Sequence, residues 1–128
     1  MSPSEIVTAF IAAIERKDIA AAAAMVSPDI SYENMPITPI VGVDAMVETL
    51  NGFLNVAEEV EWLVVAQDEV GNRVYNERMD RFKIGDGWLE LPIAGVFEVN
   101  NGLITLWRDY FDMGSYLQQF ATLTGMED

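Results

Sequence analysis

The chain has 128 residues, of which 51% are hydrophobic, and this fits one domain with its own core and one internal cavity. A formal net charge of −14 argues against nucleic acid and anionic membranes as partners, because both attract basic patches. The absence of His and Cys excludes disulfides, thiol nucleophiles, imidazole bases and the commonest metal ligands. A metal site built from carboxylates alone stays open, although no EF-hand spacing is present.

The first helix is predicted directly after the N-terminus. Ser2 is the expected N-cap, Pro3 suits the first turn, and Glu5 lies three residues after the cap, as in a capping box. Apolar residues then recur at helical spacing, at Ile6, Val7, Phe10, Ile11 and Ile14. This pattern predicts an amphipathic helix with one buried face.

Two more helices and a short strand are predicted before residue 56. An Ala-rich helix begins at Asp18 and ends before Pro28. Residues 29–34 read as a short strand that Pro36 stops. A third helix follows Gly42.

From about Val56 the pattern becomes one of strands. Three dipeptides typical of hairpin turns divide this region into four long strands: Gly71 with Asn72, Asp86 with Gly87, and Asn101 with Gly102. Consecutive hairpins predict an antiparallel meander, and residues 114–124 a short C-terminal helix. We therefore expect a single α+β domain over residues 1–128.

Charged residues fall on strand faces that are otherwise apolar. Strand alternation puts Arg78 and Asp80 on one face, together with Val74, Asn76 and Phe82. In the last strand the same rule puts Asp109 on a face with Leu103, Thr105, Trp107 and Phe111. Burying an ion without compensation costs several kcal/mol, roughly, so such a charge is paired or functional.

Simpler interpretations compete with a functional site. Arg78 and Asp80 could form an ion-pair ladder on the surface. Tyr32 could be structural, and an Asn before Met-Pro often serves a turn. Trp107 and Phe111, taken alone, fit an ordinary core.

Three segments in register resemble the limonene epoxide hydrolase family: residues 32–36 (YENMP), 77–80 (ERMD) and 107–112 (WRDYFD). Residues 95–97 (GVF) fit as well, and the resemblance covers nearly the whole chain. It implies a cone-like α+β fold, in which a curved mixed sheet carries N-terminal helices over its concave face. Ketosteroid isomerases and polyketide cyclases share that fold. The resemblance also implies a homodimer that uses no cofactor.

The resemblance further implies a role for each of five residues. Asp109 would be the general base on a water molecule that Tyr32 and Asn34 hold. Asp80 would be the general acid that protonates the epoxide oxygen, and Arg78 would orient both acids. Water would add in one step to give a vicinal diol, without a covalent intermediate.

We expect a hydrophobic epoxide, because the predicted pocket walls are apolar. Terpene, cycloalkene and steroid-side-chain epoxides all fit this expectation, and the terpene or cycloalkene type is the one we favour. The candidate walls are Phe53, Phe82, Leu91, Ile93, Trp107 and Phe111. We expect one pKa of the acid pair to be raised, so that the pair shares a proton across Arg78.

Other activities fit the same residues. An isomerase or cyclase would use Asp109 to abstract a proton from carbon. A non-catalytic ligand-binding or assembly module is the second alternative. A carboxylate nucleophile with an ester intermediate is disfavoured, since that route usually needs His.

The N-terminal residues indicate where in the cell the protein is expected. Residues 1–5 lack the basic start and apolar stretch of a secretory signal, and no apolar run approaches membrane-spanning length. We therefore expect a soluble, cytoplasmic protein. The longer N-terminal extension of some family members is not seen, and we expect this to leave the site untouched but to affect dimer packing or the pocket lid.

Overall fold

The computed structural model describes residues 1–125, which form four helices and one six-stranded sheet. The helices are α1 (Pro3–Glu15), α2 (Ile19–Ala23), α3 (Val43–Leu54) and α4 (Met113–Thr124). The strands are β1 (Val26–Met35), β2 (Ile40–Val41), β3 (Glu59–Val70), β4 (Arg73–Ile84), β5 (Gly87–Asn100) and β6 (Leu103–Tyr110). Their order in the sheet is β2-β1-β6-β5-β4-β3. The sheet is curved, mixed and unclosed, so the expected cone-like α+β fold is confirmed.

The predicted start of α1 is confirmed in detail. The hydroxyl of Ser2 accepts from the backbone N–H of Glu5 at 3.1 Å, and the Glu5 carboxylate accepts from the Ser2 backbone N–H at 2.8 Å. This capping box satisfies two of the N–H groups at the helix start. The apolar stripe of α1 is buried, and it packs with α3 over the concave face of the sheet.

The first strand is longer than predicted. β1 already begins at Val26 and contains Pro28, which lacks the N–H that a regular ladder needs. The pairing of β1 with β6 is irregular between Val26 and Ser31, and this irregularity accommodates the proline.

The predicted meander of β3 to β6 is confirmed, with one turn displaced. Gly71 and Asn72 form the first loop, and Asn101 and Gly102 form the third. The second turn is formed by Gly85 and Asp86, not by Asp86 and Gly87. Gly85 has the left-handed φ of +62°, while Gly87 is already the first residue of β5.

A bulge in β6 changes which of its residues face the core. Ile104 pairs with Val99 whereas Leu106 pairs with Glu98, so Thr105 is an extra residue in β6. Ile104 consequently joins the same buried cluster as Trp107. The expectation that Leu103 and Thr105 share the face of Asp109 is therefore wrong, because simple alternation fails at the bulge.

The pairing of β1 with β6 is parallel, unlike the other long pairs of the sheet. It sets Tyr32 opposite Trp107 and Asn34 opposite Asp109. The polar residues of the first strand thus lie beside those of the last. Within residues 1–125, no helix has the length and apolarity needed to span a membrane.

Candidate active site

An arginine held between two aspartates forms the centre of the site. Arg78 donates from Nε to Asp80 Oδ1 and from Nη2 to Asp80 Oδ2, both at 3.0 Å. Nη2 also donates to Asp109 Oδ2 at 2.8 Å. The Arg78 side chain is 0% exposed and those of the two aspartates are 5% exposed. The interpretation of Arg78 and Asp80 as a surface ion-pair ladder is therefore wrong.

Gly95 lets the Arg78 side chain cross from one strand to another. Asn76 in β4, Gly95 in β5 and Asp109 in β6 are in register across the sheet. A methyl group on Gly95 would lie 2.5 Å from Arg78 Nη1, 2.7 Å from Asn76 Oδ1 and 3.0 Å from Asp109 Oδ1. Any side chain there would displace the cluster. The sequence signal for this was a glycine inside a strand, which often marks a close approach.

Trp107 supports Asp109 from the buried core. Its indole Nε1 donates to Asp109 Oδ1 at 3.0 Å, so both carboxylate oxygens of Asp109 have donors. Its ring stacks on Tyr32 at 4.2 Å between centroids. Trp107 is fully buried and is absent from the cavity wall, which corrects its expected role there. The bulky indole is packed in the main core against the rings of Phe10 and Phe97.

Tyr32 and Asn34 reach the same cavity as the two aspartates. Burial raises the pKa of the Tyr32 hydroxyl above its ordinary value, and a hydrogen bond with Asn34 opposes this rise. The phenol therefore stays protonated at neutral pH and can donate a hydrogen bond. The parallel pairing of β1 with β6 is what brings these residues to Asp109.

The cavity has a volume of about 180 Å³ and is mostly apolar. Five of the six expected wall residues line it: Phe53, Phe82, Leu91, Ile93 and Phe111. The sequence reasoning missed five further lining residues, namely Ile37, Thr49, Trp62, Met113 and Tyr116. They lie mainly on other elements, and local pattern cannot show that α3, α4 and the loop after β1 converge on one cavity.

Burial dominates the electrostatics of the acid pair. It raises the pKa of Asp80 to about 6, while the charge and hydrogen bonds of Arg78 oppose the rise and the Asp109 charge adds to it. Burial disfavours the Arg78 cation, yet the two carboxylates raise its pKa above the ordinary value. The Trp62 ring lies 5.1 Å from the Arg78 guanidinium carbon and adds a cation–π contact. Asp80 can therefore exchange a proton near neutral pH while Arg78 stays charged.

Sequence comparison identifies the family of proteins that the chain matches. The family described as the limonene-1,2-epoxide hydrolase catalytic domain matches residues 1–122. The epoxide hydrolase EphG of Mycobacterium tuberculosis is 36% identical over 110 residues, which cover 84% of this chain and 71% of EphG.

Solved structures show the same architecture. A limonene-epoxide-hydrolase-like epoxide hydrolase of M. tuberculosis superposes with a TM-score of 0.80 and 29% identity over 94% of each chain. A SnoaL-like polyketide cyclase fold from Shewanella denitrificans superposes with a TM-score of 0.82 over 94% of this chain and 97% of its own. The identity of that second pair is 13%, so the likeness concerns the fold alone.

Proposed function

This chain belongs to the limonene-1,2-epoxide hydrolase family, and from that premise we propose that it adds water to a hydrophobic epoxide in one step to give a vicinal diol. The observation that carries the proposal is the bridge made by Arg78 Nη2, which holds Asp80 and Asp109 at the wall of one apolar cavity. Epoxide opening needs a base at a water molecule and an acid at the ring oxygen, and this pair supplies both.

Asp109 is the proposed general base. Its carboxylate lies on the cavity wall next to Tyr32 and Asn34, so these three groups can hold one water molecule. Trp107 and Arg78 donate to the two oxygens of Asp109 and fix its orientation. As water attacks a ring carbon, one of its protons moves to Asp109.

Asp80 is the proposed general acid. Burial raises its pKa to about 6, and an apolar substrate that displaces water from the cavity favours the neutral acid further. As the C–O bond of the epoxide breaks, the Asp80 proton moves to the ring oxygen. Arg78 then faces two carboxyl groups that have exchanged roles: Asp109 protonated and Asp80 ionised. The proton returns from Asp109 to Asp80 through water or across the pair.

The proposed substrate is an epoxide on a terpene or cycloalkene skeleton. Six aromatic or aliphatic side chains surround the acids and suit a compact hydrocarbon: Phe53, Phe82, Leu91, Ile93, Phe111 and Tyr116. We expect no cofactor in the reaction, because water and the carboxyl pair supply all transferred atoms.

The test is diol formation over a panel of hydrophobic epoxides. Asp80→Asn and Asp109→Asn are expected to lose on the order of 10²–10⁴-fold in kcat, since each removes one proton-transfer group. Asp68→Asn, an exposed aspartate of β3, is the matched control and is expected to keep wild-type activity. Turnover by Asp80→Asn at the wild-type rate would refute the assignment. An unsaturated ketosteroid tested in parallel should yield no isomer.

The one-step route is tested by a single turnover in ¹⁸O-labelled water. Direct attack puts label into the diol at the first turnover. Unlabelled diol at that turnover would mean that a carboxylate oxygen of the enzyme had been transferred, and the direct mechanism would fail.

A homodimer is also part of the proposal, with the convex face of the sheet as its interface. Leu63, Tyr75 and Tyr110 are 39–47% exposed on that face, beside Met79 and Val96. An apolar strip of this kind suits a second copy of the chain. Size-exclusion chromatography with light scattering should give twice the 14.2 kDa of the chain. The cytoplasm is the proposed location.

A further inference from the structure

A chain of hydrogen bonds leads from Arg78 away from the cavity to the start of α1. Arg78 Nη1 donates to Asn76 Oδ1 at 3.0 Å, and Asn76 Nδ2 donates to Gln67 Oε1 at 3.1 Å. Gln67 Nε2 then donates to the hydroxyl and carbonyl of Ser4 and to the hydroxyl of Thr8, at 2.7, 3.2 and 3.1 Å.

The donors and acceptors in this series of hydrogen bonds can be assigned in only one way. A guanidinium can only donate, so Asn76 must present its oxygen to Arg78 and its NH₂ to Gln67. Gln67 must in turn present its oxygen to Asn76 and its NH₂ to α1. Each amide is therefore held in one orientation by the group before it.

We propose that Asn76, held by Gln67, is a positioning residue that fixes the rotation of the Arg78 guanidinium. Asn76 is 6% exposed and does not line the cavity, so it cannot touch the substrate. It contacts the nitrogen of Arg78 that neither aspartate uses. The two-point pairing with Asp80 orients one edge of the guanidinium, and the bond from Nη1 to Asn76 holds the opposite corner, so that Nη2 stays between Asp80 and Asp109. This inference rests on the proposed acid–base function and extends it to a residue outside the cavity.

Because Gly95 has no side chain, the position of the Arg78 guanidinium is sensitive to the loss of its contact with Asn76. The guanidinium and the Asn76 amide both lie over the glycine, where no side chain of β5 restrains them. At Nη1, the hydrogen-bond restraint on Arg78 therefore comes from Asn76. Misplacement of a catalytic group by about 1 Å costs up to roughly 10²-fold in rate.

The first experiment compares Asn76→Ala with Asn76→Asp in the epoxide assay. Asn76→Ala, checked by circular dichroism to be folded, is expected to lose about 10- to 100-fold in kcat with KM unchanged. Its alkaline activity limit should also move to higher pH, because a looser Arg78 lowers the pKa of Asp80 less. Asn76→Asp keeps an acceptor oxygen and should recover much of kcat, with its pH profile shifted upward by the added negative charge.

The second experiment uses Gln67. Gln67→Glu keeps an acceptor for the Asn76 amide, so its kcat should stay within about threefold of the wild-type value. Gln67→Leu removes that acceptor, so its kcat should fall toward that of Asn76→Ala. Asn72→Ala is the matched control, because that amide bonds Asn100 at the β3–β4 turn and is remote from the cavity. It should behave as wild type.

The outcomes separate this inference from the proposed function. If Asp80→Asn is inactive while folded Asn76→Ala keeps wild-type kcat and pH profile, the positioning role is refuted and the acid–base function stands. An Asn76→Ala that loses only thermal stability also refutes it. If Asp80→Asn retains full epoxide turnover, the proposed function itself fails.

Discussion

Two arginines on the same strand, Arg78 and Arg81, each contact two acidic residues in opposite environments. Arg78 on the concave face is 0% exposed and bonds two aspartates. Arg81 on the convex face is 24% exposed, pairs with Glu61 and Glu90, and stacks 4.1 Å from the Trp88 ring. Their partner sets are chemically alike, so partner count cannot distinguish the buried cluster of the candidate active site from a surface ion pair.

Solvent makes the difference between the two clusters. Water screens the convex cluster, where each ion pair contributes little to stability. On the concave face desolvation raises the pKa of Asp80 to about 6, so the carboxyl can give and take a proton near neutral pH. Alternating strand residues therefore place a desolvated ion cluster and a solvent-screened one on opposite faces of the same sheet.

The largest expected difference between the two clusters appears when Arg78 and Arg81 are each replaced by methionine. Arg78→Met should lose on the order of 10²–10³-fold in kcat, since a charged donor between the acids is removed. It should also lower the free energy of unfolding by about 3–5 kcal/mol, because two buried carboxyl groups lose their partner. Arg81→Met should change stability by about 1 kcal/mol or less and leave kcat unchanged. Urea unfolding and the diol assay measure both, and similar losses in the two variants would contradict the comparison.

Gly95→Ala should lower kcat nearly as much as Arg78→Met does, without changing any charge. The added methyl would lie 2.5 Å from Arg78 Nη1, so the guanidinium must move and kcat should fall by roughly 10²-fold. Gly52→Ala is the control. It lies in α3 with open space around its Cβ position, and it should gain about 0.5–1 kcal/mol in stability with full activity. A fully active Gly95→Ala would show that the cluster tolerates displacement.

The pH dependence of kcat/KM should report the buried acid. As the proposed general acid, Asp80 must be protonated, and its pKa lies at about 6, so activity is expected to fall as the pH rises through that value. Glu90→Gln is the control and should leave the profile unchanged, because Glu90 pairs with Arg81 on the convex face and does not line the cavity. A flat profile up to pH 8 would rule out Asp80 as the group whose protonation limits the rate.

The smallest expected effect is a difference in stability between variants of Trp107 and Trp62, two tryptophans on the concave side. The Trp107 N–H donates to Asp109, whereas the Trp62 N–H is buried without a hydrogen-bond partner among the described residues. Trp107→Phe should cost more stability than Trp62→Phe by about 1–2 kcal/mol, because the former leaves a buried carboxylate oxygen without its donor. Equilibrium unfolding in urea gives the difference, and an equal cost would contradict this account.

Several features could be read from local pattern. Strand alternation placed Arg78 and Asp80 on a buried face, and their burial is confirmed. The capping box of α1 and the meander of β3 to β6 are confirmed as well, because caps and hairpin turns depend on neighbouring residues only. Alternation failed at Thr105, where a bulge shifts the register.

The sequence by itself determined the ingredients of the site: a chain without His or Cys, two aspartates and an arginine on strand faces, and apolar residues around them. Only the tertiary structure decided that they meet. The parallel pairing of β1 with β6 brings Asn34 beside Asp109, and Gly95 leaves the space through which Arg78 reaches β6. These contacts join residues far apart in the chain, and burial then raises the pKa of Asp80. Local periodicity carries no information about these contacts or about the raised pKa, since all of them depend on packing between distant elements.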